Sequence, residues 1–484
     1  MDTPPTAQLR PVRQRLLLAA VLSGLLLAML DQTIVGTALP AIVRHLDGSS
    51  LYLWVVTAYL VPATVSLPVY ARLSDRYGRR ALLLTGMALF LLGSALSASA
   101  QTMEQLVAFR GLQGLGAGAL EGLSFILVAD LYAGRRNAAL QGMLAGLMGL
   151  SFIAGPLVGG FLADHAGWRW VFLVNLPIGL AALAVVATVL PAAIGRREER
   201  AAPLDLAGIG LLTAGVGLVL VGLSERAHPG AGGALPAWTE LRTGGLIAGG
   251  VLLLAWFVAT ERRAAAPVVP LTLVRDRRTA AILAAGATGA FGLFASVLLL
   301  PRYFQDVRDV SATHSGLLIY PLLLGLVVSV NVAGAVIVRR GEFRTPILAG
   351  LATLGLGAAG FATFDASTPD WESLAFMALI GLGVGPTLSG LQIAMQRTVA
   401  PAAIGAAMGT LLLLRQVGGS VALAAAETVY AAGLHDGRGA ATATGSGVFA
   451  VALAGAVLAA AALLTLPRAG TRFPAAPAAS PAPA

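Results

Sequence analysis

The sequence predicts an all-α polytopic membrane protein with about fourteen spanning helices, and three observations carry that expectation. Hydrophobic residues fill 57% of the 484 positions and charged ones only 11%, with a mean hydropathy of +0.82. A soluble chain of this length has no core large enough to hide so much apolar surface. Apolar windows of about 20 residues, the length that crosses a bilayer, recur about fourteen times. Between them the arginines gather in alternate loops.

The windows centre on Leu25, Leu60, Phe90, Ala117, Leu150, Leu180, Gly215, Leu252, Phe291, Leu326, Gly355, Gly383, Leu414 and Leu453. The first follows "RPVRQR" and is too long, with no small-residue cleavage site, for a removed leader, so it reads as an uncleaved span. Arg clusters stand before it (Arg10, Arg13, Arg15), then at Arg72 to Arg80, Arg135 and Arg136, Arg196 to Arg200, Arg262 to Arg278, Arg339 to Arg344, and Arg468 and Arg472. By the positive-inside rule those loops and both termini are expected on the cytoplasmic side of the inner membrane. Trp54, Trp168, Trp170, Trp238 and Trp371 fall at the outer interface, as an aromatic belt would. The net charge of +9 is therefore topological, and nucleic acid is not an expected partner. Cys is absent, which excludes disulfides and thiolate metal sites.

"GLGAGALEGL" at Gly114 and "GLGVGPTLSGL" at Gly381 repeat a glycine run eight windows apart, which points to two six-helix bundles with two helices inserted between them. The expected organisation is a cytoplasmic segment 1–14, a bundle 15–190, a linker 191–203, inserted helices 204–263, a linker 264–278, a second bundle 279–467 and a disordered tail 468–484. Gly114, Gly118 and Gly122, and in the next helix Gly142 and Gly146, then Gly155 and Gly159, form small-residue stripes that let helices approach closely. The Gly/Pro-rich stretch Arg226 to Trp238 reads as an outer loop.

Several stretches resemble a known family. "LDQTIVGTALP" (Leu30 to Pro40) resembles the first-helix signature of the fourteen-span drug:proton antiporters of the major facilitator superfamily. "RLSDRYGRR" (Arg72 to Arg80) is similar to the superfamily's loop between helices two and three, and "RGLQGLGAGA" (Arg110 to Ala119) to its fourth-helix motif. "GPLVGG" (Gly155, Pro156, Gly159, Gly160) resembles the antiporter motif, "WRWVFLVNLPIG" the entry to helix six, and "LLRQVGGS" a late motif. Ala71, Gly36 and Ser151 depart from the usual residues, and the second half's loop, "VRRGEFRTP", has decayed. The resemblance implies the major facilitator fold and export of drugs, antibiotics or other small amphipathic compounds in exchange for protons. No cofactor beyond the proton gradient is implied, and a monomer in the bilayer suffices.

The residues themselves supply a mechanism. A lone charge at the bilayer centre costs on the order of 3 kcal/mol on insertion scales, so Asp31 needs a partner or a water-filled cavity. Helix rise puts Asp31 roughly 22 Å from the inner surface and Arg110 roughly 24 Å, the same level, so the two are expected to face one cavity. Glu121 lies eleven residues after Arg110, about 20° from eclipsed, and so belongs to the same helix face. Desolvation raises the pKa of a carboxylate and a nearby Arg lowers it, so cargo arrival or a change of access can shift protons on and off. Arg415 and Gln416 near the midplane, with Gln113, Tyr59, Tyr320, Asn331, Gln392 and Gln396, are the candidate cavity wall. Glu427 comes late enough in its helix to read as an outer-interface residue. By resemblance, Asp75, Arg76, Gly78, Arg79 and Arg80 form a gating latch, with Asp75 at a helix N-terminus paired to Arg in one access state.

An enzyme is not expected. Neither G-x-S-x-G nor H-E-x-x-H occurs, and His45, His165, His228, His314 and His435 fall at outer loops without metal spacing. "GLGAGA" follows no strand and lies inside a span. Export of a lipid or a specific metabolite on the same fold stays open, as does proton symport of a polar solute.

Overall fold

The computed structural model describes residues 11–48, 51–131, 137–191, 205–227, 235–264, 267, 269–400, 403–467 and 471, and they are helical almost throughout. Linker 191–203 apart from residue 191, the tail beyond 471, Arg135, Arg136, His228, most of the loop expected at 226–238 and residues 1–10 lie outside the described set. Among the described residues, eleven helical passes are long and apolar enough to cross a membrane. The remaining long helices, Tyr52–Tyr77, Asn137–His165 and Arg344–Phe361, run beside them and bring the passes among the described residues to fourteen.

The first seven helices are α1 (Pro11–Leu46), α2 (Tyr52–Tyr77), α3 (Arg79–Ser99), α4 (Met103–Leu131), α5 (Asn137–His165), the single turn α6 (Trp170–Leu173) and α7 (Asn175–Val189). Next come α8 (Leu206–Ala227), a π turn at Leu241–Gly245, α9 (Leu246–Glu261) and the short α10 (Leu271–Arg275). The rest are α11 (Arg277–Thr288), α12 (Phe291–Asp306), α13 (Ala312–Leu318), α14 (Tyr320–Arg340), α15 (Arg344–Phe361), α16 (Asp370–Thr398), α17 (Ile404–His435) and α18 (Ala440–Leu464).

Apolar side chains gather in two cores. One runs from Leu17 to Leu190 and takes in residues of α8; the other runs from Leu273 to Leu466. Leu413, Leu423 and Ala424 of α17 belong to the first core although their neighbours on the same helix belong to the second, so α17 lies along the seam. The pair α8 and α9 packs on itself and meets α2 and α17, and Thr428 donates to the carbonyl of Leu223 at 3.2 Å.

The repeated glycine runs do the same job in each core. A Cβ at Gly114 would sit 2.3 Å from the Tyr59 carbonyl oxygen and one at Gly118 2.3 Å from that of Ala63, both on α2, while one at Gly116 would meet α3 at Phe90. In α16, Cβ atoms at Gly381 and Gly385 would collide with α14 at Leu322 and Ser329, and one at Gly383 with Leu354 of α15. The missing side chains let α4 and α16 each wedge between two neighbours at backbone distance. Gly78 turns the chain between α2 and α3 at φ 89°, a conformation that favours glycine, and its amide donates to the Ser74 carbonyl at 3.0 Å.

Candidate functional site

Asp31 sits mid-way along α1, and the structure encloses it with polar groups from α4 and α7. Arg110 Nη1 donates to Asp31 Oδ2. Gln113, one turn along α4, bridges the pair: its Oε1 accepts from Arg110 at 2.8 Å and its Nε2 donates to Asp31 Oδ1 at 2.8 Å. Asn175 Nδ2 adds a donor to the same oxygen at 3.1 Å and reaches Ser94 Oγ at 3.0 Å. Arg110 Nε is held by the Val55 carbonyl at 3.2 Å, and its guanidinium lies 4.1 Å from the centroid of the Tyr59 ring. Asp31 and Arg110 are each 1% exposed.

This arrangement differs from the shared cavity expected around these two charges. They touch each other, and nearly every acceptor lobe of the carboxylate is filled by a donor, which is how a charge is tolerated in an apolar setting. Gln113 and Tyr59, expected on a cavity wall, belong to this sealed cluster; Tyr59 donates its hydroxyl hydrogen to the Ala28 carbonyl at 2.9 Å. Asn331 donates to Val327 of its own helix at 2.8 Å, and Tyr320, Gln392, Gln396 and Gln416 are half-buried.

Glu121 lies further along α4, 7% exposed, and Gln32 Nε2 donates to its Oε1 at 2.8 Å. Gln32 directly follows Asp31, so adjacent positions of α1 carry one acid and contact the other. Across the seam stands Arg415 of α17, whose charge acts on Glu121 without an ion-pair contact forming among the described residues. Helix rise puts both about 15 Å from the ends of their helices on the face where α1 begins.

The "GPLVGG" segment of α5 binds α1 just beyond Asp31. A Cβ at Gly155 would lie 1.9 Å from Thr33 Oγ1, and one at Gly159 2.4 Å from the Ile34 carbonyl. Thr33 also donates to the Ser151 carbonyl at 3.1 Å. Gly160 faces the other core: its Cβ would lie 2.4 Å from the Ala312 carbonyl, and a Cβ on Gly316 would meet the Pro156 carbonyl at the same distance. One motif therefore touches both α1 and the opposite half.

Polar contacts close the two cores together at the far face, opposite the start of α1. Arg44 pairs with Asp306 at 3.0 Å, and Gln305 donates to the Thr37 carbonyl at 2.9 Å. Asp164 at the end of α5 accepts from the amides of Ala312 and Thr313, at 3.1 and 2.7 Å, and from the Thr313 hydroxyl at 2.6 Å. Arg302 bonds Glu427 at 2.9 Å and lies between the rings of Tyr52 and Tyr430. Glu427, expected at the outer interface, is 4% exposed and inside this network, because Arg302 of α12 supplies the counter-charge that lets it be buried. Trp168, expected in an interfacial belt, is also buried, with the Arg169 guanidinium 4.5 Å from its ring centroid.

Of the residues in "RLSDRYGRR", Gly78 makes the turn already described and Arg80 donates to the Ala187 carbonyl at the end of α7. The side chains of Asp75 and Arg76 lie outside the described set, as does the packing around Gly142 and Gly146. Asn175, Gln32, Ser94 and Arg302 were not singled out by sequence reasoning. The available signal was the same for all four: a polar residue interrupting an apolar run.

Fourteen helical passes, two apolar cores meeting along a seam, and buried charges inside one of them define a multi-pass membrane transporter. The family model of the major facilitator superfamily matches residues 21–423, and the chain belongs to that superfamily, whose members are transporters and not enzymes. It is 32% identical over 404 residues to the multidrug transporter protein MdtP of Bacillus subtilis, covering 83% of this chain and 73% of that one. It is 31% identical over 421 residues to multidrug resistance protein 3 of the same organism, covering 86% and 79%. Among solved structures, a D-xylose-proton symporter superposes with a TM-score of 0.63 at 14% identity, covering 94% of this chain and 98% of that one, a likeness of fold alone.

Proposed function

We propose that the chain exports small amphipathic or hydrophobic compounds by alternating access, with cargo leaving as protons enter. The observation that carries this reading is the Asp31–Arg110 pair. A carboxylate inside an apolar core is held here in its charged form by a guanidinium and two amide donors, and a proton on it would cancel the attraction that holds Arg110. The sealed pair is the resting arrangement. Exchange needs a second arrangement, in which water reaches Asp31 and Arg110 turns to Gln113 and Val55 alone.

The bundles 15–190 and 279–467 rock about the seam, with helices 204–263 alongside. The far face is the outside, closed here by Asp164, Arg44 and Arg302, and the arginine-rich face with both termini is cytoplasmic. Glu121, Arg415 and the half-buried Gln416, Tyr320 and Gln392 line the route, and Asp75, Arg76, Gly78, Arg79 and Arg80 latch the cytoplasmic side. The relatives named for multidrug transport and resistance support the substrate range. A susceptibility and efflux panel in a pump-deficient bacterial host tests the reading: wild type lowers dye and antibiotic retention, Asp31→Asn and Glu121→Gln do not. Retention unchanged by wild type across the panel contradicts it.

A further inference from the structure

Among the described residues, two opposite-charge pairs are closed with an acid buried to 7% exposure or less. Arg110 meets Asp31 directly, and Arg302 meets Glu427 at 2.9 Å. Glu121 and Arg415 are different. They stand at one level on opposite sides of the seam and feel each other's charge, yet no ion pair forms between them. Among the described residues Gln32 is the one hydrogen-bond donor to Glu121, and no hydrogen bond reaches the Arg415 guanidinium with its five N–H donors. Two opposite charges kept apart in a low-dielectric setting leave hydrogen-bonding capacity on both. Arg415 itself lines a small void of about 10 Å³, together with Gly286, Thr387, Leu391 and Leu411.

We propose that this gap receives the charged end of an amphoteric substrate, its ammonium against Glu121 and its carboxylate or other oxyanion against Arg415. A purely cationic guest leaves the guanidinium unpartnered and adds a like charge near it; a purely anionic one does the same to Glu121. A guest carrying both charges satisfies both at once and alternates sign across the seam. The inference rests on the reading above, that cargo binds between the two cores.

The test uses one fluorescent scaffold in four charge states: Nε-dansyl-lysine (zwitterion), its methyl ester (cation), its Nα-acetyl derivative (anion) and the Nα-acetyl methyl ester (neutral). Each is titrated into the purified full-length protein in detergent, without any gradient. The zwitterion binds wild type about tenfold more tightly than any other member. Glu121→Gln weakens zwitterion and cation and spares the anion, Arg415→Gln weakens zwitterion and anion and spares the cation, and Arg415→Lys restores the anion. Unchanged affinity for the neutral member shows that the variants are folded. The proposal is overturned if the ester binds wild type as tightly as the zwitterion, if Arg415→Gln leaves their ratio unchanged, or if no member binds to protein that melts as wild type does. Because binding is read without transport, those results leave export standing, whereas an intact charge ranking with no efflux in cells refutes export instead.

Discussion

Gln32 donates its amide hydrogen to the Glu121 carboxylate at 2.8 Å, one position along α1 from the aspartate that pairs with Arg110. A single helix thus carries Asp31 and contacts Glu121, on faces about 100° apart. Any rotation or slide of α1 that breaks one contact strains the other. Replacing Gln32 with Met keeps the volume and removes the donor. Leaving a buried acceptor unsatisfied costs about 1–3 kcal/mol, so Gln32→Met is expected to slow dye efflux severalfold or more with normal membrane expression. Efflux at the wild-type rate contradicts the link.

Removing one partner of a buried ion pair is costlier than removing both. Arg110→Met leaves Asp31 charged with Gln113 and Asn175 as its remaining donors, and about 3–5 kcal/mol is lost. The double variant Asp31→Asn, Arg110→Met is expected to recover most of the thermal stability in detergent while remaining inactive in efflux. That split, measured by melting and by transport on the same preparations, separates a structural pair from a coupling one.

The fold class was legible because apolar windows of about 20 residues leave no other architecture, and the level of Asp31 matched that of Arg110 by helix rise alone. The closure around them was not legible. Whether two charges at one depth face a cavity or each other depends on which way their helices are rotated, and Asn175, which completes the seal, reaches Asp31 from α7, 144 positions away. Glu427 shows the same limit. Its place near a helix end says interface, and only the packing of α12 brings Arg302 within 2.9 Å to bury it. Glycine positions were more readable, since small residues repeating every four positions have few uses in a span besides close approach.

Gly160 is expected to tolerate nothing larger. A Cβ there would lie 2.4 Å from the backbone oxygen of Ala312, where neither side can yield cheaply. Overpacking of this kind costs about 1–3 kcal/mol, and it falls on the far-face-closed arrangement, where α5 meets α13. Gly160→Val should shift the protein toward the state open at that face. A cysteine in place of Gln305, buried where it bonds the Thr37 carbonyl across the seam, then labels faster with an impermeant thiol reagent than it does in the otherwise wild-type chain, and efflux falls. Equal labelling with efflux intact contradicts the assignment.

Asp276 caps α11 from the segment between spans, accepting from the Thr279 amide at 2.9 Å and hydroxyl at 2.7 Å. Partial burial pushes its pKa up, but those hydrogen bonds and the nearby Arg278 outweigh this and hold it below the ordinary carboxylate range. A lowered carboxylate pKa means that the stabilisation is fully present above the unfolded-state value and is lost as pH falls through the folded one. Asp276→Ala should lower stability by about 1 kcal/mol at neutral pH, the usual worth of such a cap. The gap between variant and wild type should close on acidification below the ordinary carboxylate range, read as melting temperature against pH. A difference that stays constant into acid removes the charge from the explanation.

The central claim is that Asp31 exchanges a proton for cargo, and concentrative transport in proteoliposomes tests it most directly. A dye that wild type exports in cells is supplied with a pH gradient, and its accumulation is compared for wild type and Asp31→Asn. The account predicts that wild type concentrates the dye only while the gradient lasts, and that Asp31→Asn at most lets it equilibrate. Concentration by Asp31→Asn to the wild-type level, driven by the same gradient, would contradict it.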